Sequence, residues 1–211
     1  MQRPWVDIAL AQLGRNVDAV RAAVRPETEL IMVVKADAYG HGLAPVARRA
    51  AARGVRWFGV AYVDEAETLR AAVDGPDILV LGVAEPEDVP LLLRGRITPI
   101  VVSVAHGRAL AARARAEGRD LPVHVKVDTG MGRLGLPWSD APACLEALAR
   151  EEGLDLQGIC SHFAMVEPEN EAPARAQAER FREAARAAEA VCGRRLFKHL
   201  SSSRALLYYD A

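Results

Sequence analysis

The chain has 211 residues, of which 51% are hydrophobic and 26% are charged, and its net charge at pH 7 is −1. This composition is typical of a globular protein, and no apolar run approaches the ~20 residues that span a bilayer, so neither a membrane nor a nucleic acid is expected as a partner. The first residues lack the apolar core of a signal peptide and the three cysteines lack metal-ligand spacing, which predicts a cytoplasmic protein with reduced thiols and no metal.

Two sequence periods alternate along the chain. The leading segment, 1–24, reads as a short strand followed by a helix. Short runs rich in valine and isoleucine then predict seven strands, and the alanine-, arginine- and leucine-rich stretches between them have helical spacing. The predicted strands are 30–34, 57–61, 78–82, 98–102, 122–127, 156–160 and 196–200. An Asp64-x-x-Glu67 pattern predicts a capped helix start after the second strand.

The strand–helix units predict the fold class. Several predicted strands are apolar at every position, as in a parallel sheet covered by helices on both faces. Seven such units fit a (β/α)8 TIM-type barrel better than an open sheet, so we predict an α/β fold with one incomplete barrel domain over 1–211. Because a seven-unit barrel would leave two strand edges unpaired, we expect this chain to be the front part of a longer protein. The mass of the native gene product tests this expectation.

Lysines are scarce and each lies in or after an apolar run. Only three of the 27 basic residues are lysines: Lys35, Lys126 and Lys198. Lysine, unlike arginine, can lose its proton when buried and then act as a base or form an imine. Lys35, which begins the sequence KADAYGHG, is therefore the first candidate for chemistry, with chance placement at a strand end as the alternative.

Polar residues follow several predicted strands at their carboxyl ends, where barrels of this class place their active sites. These residues are Lys35, Tyr39, His41, Asp128, Thr129, Arg133, Ser161, His162, Ser201, Ser202 and Ser203. An amine, a guanidinium, an imidazole and several hydroxyls suit a cofactor that has a carbonyl, a phosphate and a ring. Pyridoxal 5'-phosphate fits, because a lysine amine can form the imine while hydroxyls and backbone N–H groups hold the phosphate.

Three segments resemble the signatures of the alanine racemase family. VKADAYGHG (34–42) resembles its cofactor-lysine motif, VKVDTGMGRLG (125–135) its second signature and GICSHFA (158–164) its third, and the resemblance runs from Trp5 to the end of the chain. It implies pyridoxal-phosphate-dependent interconversion of L-alanine and D-alanine by two-base proton transfer at Cα. It also implies a cytoplasmic homodimer that supplies D-alanine for cell-wall peptidoglycan.

The resemblance implies roles for individual residues. Lys35 would bind pyridoxal phosphate covalently and then act as one of the two bases at the alanine Cα. Tyr39 would support the cofactor near its phosphate. Arg133 would contact the phenolic oxygen of the cofactor and the carboxylate of the substrate, and His162 would lie beside the pyridine ring.

Two positions leave alternatives open. The family usually has an Asn-Ser pair after the seventh strand, and this chain has Ser202-Ser203, so we expect weaker or rearranged phosphate contacts there. Lys126 matches a lysine that is carbamylated in many members, and its carbamate would orient Arg133. The alternative is an ordinary buried lysine paired with Asp128, two residues further along the same strand face.

The resemblance also implies what these 211 residues lack. The second base of the family is a tyrosine from the C-terminal β domain of the partner subunit, which this sequence does not include. We therefore expect the chain alone to bind pyridoxal phosphate weakly and to racemise alanine poorly. A non-catalytic pyridoxal phosphate carrier remains an alternative that suits the chain length.

A dinucleotide-binding pattern competes with this interpretation. GMGRLG (130–135) matches G-x-G-x-x-G, and Asp155 lies 20 residues beyond it. Pro137 and Trp138 interrupt before any helix can start, and Asp155 begins the next strand instead of ending it. A nicotinamide-dependent dehydrogenase is thus the weaker hypothesis, and the glycines are better explained by close backbone approach to a ligand. Cys160 is interpreted as a small buried hydrophobe rather than a nucleophile.

Overall fold

A computed structural model describes residues 5–209. The chain divides into two compact units, Met1–Leu81 and Gly82–Ala211. Each unit alternates parallel strands with helices. The single-domain prediction stays a prediction.

The first unit contains three parallel strands. Its elements are α1 (Leu10–Ala23), β1 (Ile31–Val33), α2 (Lys35–Gly40), α3 (Leu43–Ala51), β2 (Trp57–Val60), α4 (Val63–Ala72) and β3 (Asp77–Val80). β2 pairs with β1 on one side and with β3 on the other. The buried residues of α3 are Leu43, Val46, Ala47 and Ala50, a spacing that gives this helix one apolar face.

The second unit has four parallel strands in the order β4-β5-β7-β8, and the short β6 pairs with β5. Its strands are β4 (Ile97–Val101), β5 (Leu121–Asp128), β6 (Leu136–Pro137), β7 (Leu154–Cys160) and β8 (Phe197–His199). Its helices are α5 (Val89–Gly95), α6 (Val104–Ala116), α7 (Ala141–Ala149), α8 (Glu171–Cys192) and α9 (Ala205–Tyr208), with 3-10 turns at Pro86–Asp88 and Pro168–Asn170.

The seven predicted strands are all present, with ends that differ from the prediction by up to two residues. Two local predictions are wrong. The leading segment contains helix α1 but residues 5–9, the described part before it, form no strand. Helix α4 begins at Val63, and its first turn is capped by Glu65, not by Asp64 and Glu67: the Glu65 carboxylate accepts a hydrogen bond from the Ala61 backbone N–H at 2.7 Å.

Strand β5 is buried on both faces, as its apolar run predicts. Val123, Val125 and Val127 are buried on one face, and His124 and Lys126 are buried on the other. Burying two ionisable side chains inside a strand costs free energy, and such groups are common at functional sites. The face of β5 that carries His124 and Lys126 is therefore a candidate functional region. Within residues 5–209, no helix is both long and apolar enough to cross a membrane.

Candidate active site

Lys35 follows the carboxyl end of β1. It is half-buried beside the fully buried Val34, and within residues 5–209 its amine has neither a hydrogen-bond nor an ion-pair partner. The other two lysines differ from it. The Lys198 ammonium lies 2.6 Å from the Glu189 carboxylate, and Lys126 is only 7% exposed. Of the three, Lys35 is therefore the amine that is both accessible and uncommitted.

The backbone after Lys35 makes a left-handed turn. Ala36 to Tyr39 have φ between 52° and 56° and ψ between 38° and 52°, and Gly40 continues with φ of 80°. For residues with a Cβ this conformation costs roughly 1–2 kcal/mol each. The turn leaves Tyr39 with 59% of its surface exposed, at the same strand end as Lys35.

Two carboxylates hold this turn in place. Glu65 accepts from the Ala36 N–H at 2.6 Å through one oxygen and from the Ala61 N–H at 2.7 Å through the other, which ties the residues after β1 to those after β2. The Asp37 carboxylate accepts from the Leu43 N–H at 2.6 Å. These contacts offset the strain and fix the direction of the chain next to Lys35. The sequence reasoning did not identify Glu65 as part of the site.

Asp128, the last residue of β5, organises the loop that carries Arg133. Its Oδ1 accepts hydrogen bonds from the backbone N–H groups of Gly130, Met131 and Gly132 at 2.9, 2.9 and 3.1 Å. Burial raises the pKa of Asp128, but these hydrogen bonds and the nearby Lys126 outweigh it, and the pKa lies below its ordinary value.

Replacement of Asp128 tests this loop. We expect Asp128→Ala to lower the free energy of unfolding by about 1–3 kcal/mol, and Asp128→Asn to lower it less, because an amide oxygen can still accept these hydrogen bonds. The folded pKa is lowered, so the contribution of the charge is fully present above the unfolded pKa of ~3.9 and is lost as the pH falls through the folded pKa. Urea unfolding of both variants and the wild type from pH 7 down to about pH 2 checks this; a difference between wild type and Asp128→Asn that grows on acidification would contradict it.

Arg133 is exposed, and its guanidinium has no hydrogen-bond or ion-pair partner in the part of the chain that the structure describes. Its charge is close enough to affect Lys126. Burial is the largest effect on the pKa of Lys126 and lowers it. The Arg133 charge lowers it too, whereas Cys160 and Asp128 raise it, and the net result is a pKa below the ordinary value. Lys126 makes no ion pair with Asp128 among the described residues, so a simple buried Lys126–Asp128 salt bridge does not account for this lysine.

His162 and the two serines also follow strand ends in the second unit. His162 is half-buried in the loop after β7. After β8, the Ser202 hydroxyl accepts a hydrogen bond from the Ala205 N–H at 3.3 Å, whereas Ser203 is exposed. Each predicted site residue thus follows a parallel strand of the unit to which it belongs. Lys126 is the exception, because it lies within strand β5. Their assignment to one site stays a prediction.

The second unit contains polar residues that the sequence reasoning missed. His124 is buried inside β5, and its Nδ1 lies 2.9 Å from Nε2 of His199 at the end of β8. Burial lowers the pKa of His124 to about 4 and the pKa of His199 well below its ordinary value, so both imidazoles are neutral at physiological pH. The sequence pattern of strands β5 and β8 gave no signal that distinguished these histidines from ordinary strand residues.

The glycine-rich loop does not open a helix, so the dinucleotide pattern lacks the context that it needs. Residue 136 begins β6, and α7 starts only at Ala141. The prediction that the glycines allow close approach to a ligand stays a prediction, and Gly135 has a structural reason of its own. A Cβ there would lie 2.8 Å from the Lys126 carbonyl oxygen, so its close neighbour is the chain's own strand β5.

Cys160 is buried, in agreement with its interpretation as a small hydrophobe. Burial raises its pKa to about 12, against a smaller opposing effect of Lys126. Because only the thiolate is reactive, we expect a maleimide at neutral pH to leave Cys160 unmodified in the native protein while it labels the half-buried Cys144. Peptide mass spectrometry before and after unfolding measures this, and native labelling of Cys160 at the rate of Cys144 would contradict it.

Comparison with known proteins decides the family. The family model for the alanine racemase N-terminal domain matches residues 8–211. The chain belongs to the alanine racemase family. It is 38% identical over 208 residues to an alanine racemase of Syntrophobacter fumaroxidans, covering 98% of this chain and 55% of the relative. A Synechocystis alanine racemase is 36% identical over 217 residues, covering 100% and 57%. The chain spans about half the length of the curated relatives it matches.

Solved structures of racemases match the fold. An alanine racemase of Clostridium difficile in complex with cycloserine superposes with a TM-score of 0.87 at 29% identity, covering 93% of this chain and 54% of that one. A histidine racemase of Leuconostoc mesenteroides superposes with a TM-score of 0.81 at 25% identity, covering 93% and 52%. The predicted fold class, an α/β chain forming an incomplete (β/α)8 barrel, is therefore confirmed.

Proposed function

We propose that this chain is the pyridoxal-phosphate-binding portion of an alanine racemase, which interconverts L-alanine and D-alanine in the cytoplasm as a homodimer and supplies D-alanine for peptidoglycan. The observation that carries the proposal is Lys35. This accessible, uncommitted amine lies at the end of β1, within the segment matched by the alanine racemase family model. A reactive lysine at the carboxyl end of a barrel strand is placed where this fold performs chemistry.

The residues present fit pyridoxal phosphate. The Lys35 amine can bind its carbonyl carbon, and the exposed Tyr39 and Ser203 carry hydroxyls that can donate to its phosphate, with Ser202 adjacent. The uncommitted guanidinium of Arg133 has the planar fork that binds a carboxylate or a phenolate. The cofactor, when bound, supplies a conjugated ring that acidifies the Cα–H of an amino acid.

The residues of the chain would then transfer the Cα proton and orient the substrate. With the cofactor bound, the Lys35 amine would exchange a proton with the Cα of the substrate on one face. Arg133 would bind the substrate carboxylate, which is the role that the family resemblance implies. His162 would lie beside the ring, as the family resemblance implies. Inversion needs a second base on the opposite face, which the family resemblance assigns to a tyrosine of the C-terminal domain.

Lys126 is proposed as a carbamylated lysine. Its burial and lowered pKa favour a neutral amine, the form that reacts with carbon dioxide, and it lacks an ion-pair partner in the described residues. The resulting anion would attract Arg133, whose charge already acts on Lys126. A carbamate resonance after incubation with carbon-13-labelled bicarbonate, absent in Lys126→Ala, would support this. Its absence in the wild type would leave Lys126 as an ordinary buried lysine.

Turnover by the complete gene product tests the function. We expect it to convert L-alanine into D-alanine when supplied with pyridoxal phosphate, as measured by chiral chromatography. Cofactor binding without turnover of any amino acid would favour the non-catalytic carrier. Because a histidine racemase is among the structural matches, L-histidine belongs in the substrate panel, and turnover of histidine alone would correct the substrate.

A further inference from the structure

Behind the loops that carry Arg133 and His162 lies a buried amide from helix α8. Gln177 is only 4% exposed and all of its hydrogen-bonding atoms are used. Its Nε2 donates to the Thr129 hydroxyl at 3.1 Å and to the His162 carbonyl at 3.2 Å, and its Oε1 accepts from the Ala164 N–H at 2.9 Å. One side chain therefore joins the loop after β5 to the loop after β7.

Two further contacts tie the same loops. The hydroxyls of Thr129 and Ser161 lie 2.9 Å apart and share a hydrogen bond. One turn along α8 from Gln177, the Arg180 guanidinium donates to the Thr129 carbonyl at 2.9 Å, and it stacks over the Trp138 ring at 4.8 Å from the centroid. Gln177 thus contacts both loops, whereas the contacts of Arg180 are with the loop after β5 and with Trp138, which follows β6.

We propose that Gln177 is a positioning residue that sets the relative placement of the loops carrying Arg133 and His162. Arg180 helps to hold only the loop that carries Arg133. This inference rests on the proposed function, since it assigns both loops to a pyridoxal phosphate site. We assign Gln177 no contact with cofactor or substrate, because its amide is buried and bonded to protein groups. It acts because a buried amide with every hydrogen bond made is rigid, and loss of its partners leaves polar groups of both loops unsatisfied.

Hydrogen exchange of the 211-residue chain without cofactor is the first test. In Gln177→Met, we expect amides in 129–133 and 162–165 to exchange at least tenfold faster than in the wild type, as measured by mass spectrometry. In Arg180→Met, only 129–133 should exchange faster, which keeps the proposal testable if Gln177→Met does not fold. Phe181→Leu is the matched control, because Phe181 is a buried residue of the same helix and Leu removes packing without removing these hydrogen bonds.

Cofactor affinity is the second test. We expect Gln177→Met to raise the Kd for pyridoxal phosphate about tenfold in a spectroscopic titration, while Phe181→Leu at a comparable loss of stability leaves it unchanged. Unchanged exchange in both loops of Gln177→Met, or equal effects of Phe181→Leu, would overturn the proposal. If the wild type does not bind pyridoxal phosphate, the proposed function fails, and the exchange comparison still decides whether Gln177 positions the loops.

Discussion

Lys35→Ala is expected to abolish covalent attachment of pyridoxal phosphate to this chain. The Lys35 amine is accessible and uncommitted, whereas Lys126 is buried and Lys198 is ion-paired with Glu189. Borohydride reduction after incubation with the cofactor makes the attachment permanent, and peptide mass spectrometry then locates it. In the wild type we expect one labelled peptide, which contains Lys35, and an absorbance band near ~420 nm from the lysine-bound cofactor.

Lys198→Ala is the matched control, because it removes another lysine that follows an apolar run. We expect it to retain both the label and the absorbance band. A Lys35→Ala protein that is labelled to the same extent as the wild type would remove the basis of the proposed function. Label on Lys126 in the folded protein would show that this lysine is far more accessible than its burial indicates.

The positions of the strands and of Lys35 could be predicted because they depend on local patterns. An apolar run of four or five residues followed by polar ones identifies a buried strand and its end, and this was sufficient to place Lys35 within two residues of the end of β1. The same reasoning identified Asp128 as the residue at the end of β5. Neither prediction needed information about distant parts of the chain.

The supporting residues could not be predicted because their roles depend on distant partners. Gln177 reads as one polar residue of an amphipathic helix, and only the fold brings it to Thr129, 48 residues away along the chain. Glu65 was overlooked in favour of a capping pattern that starts two residues after the observed N-cap, Tyr62, and its contact with Ala36 spans 29 residues. The left-handed turn after Lys35 has no sequence signal, since Ala36, Ala38 and Tyr39 all disfavour that conformation.

Gly135→Ala is expected to destabilise the second unit by about 2–6 kcal/mol. Gly135 has φ of +121°, which an L-residue adopts only with strain of roughly 1–3 kcal/mol. Its Cβ would also lie 2.8 Å from the Lys126 carbonyl oxygen and 2.9 Å from the Asp128 nitrogen. Both are backbone atoms of β5 that cannot rotate away, so overpacking adds about 1–3 kcal/mol. Urea unfolding followed by circular dichroism measures the loss.

Gly132→Ala separates the two contributions, because it changes the same loop without the collision. Gly132 also has a positive φ, of +71°, but a Cβ there would meet nothing within 4 Å. We expect it to cost only the conformational part, about 1–2 kcal/mol. Equal losses in the two variants would mean that β6 shifts freely away from β5. The loop carrying Arg133 would then not be anchored at that end, and Asp128, Gln177 and Arg180 would have to hold it.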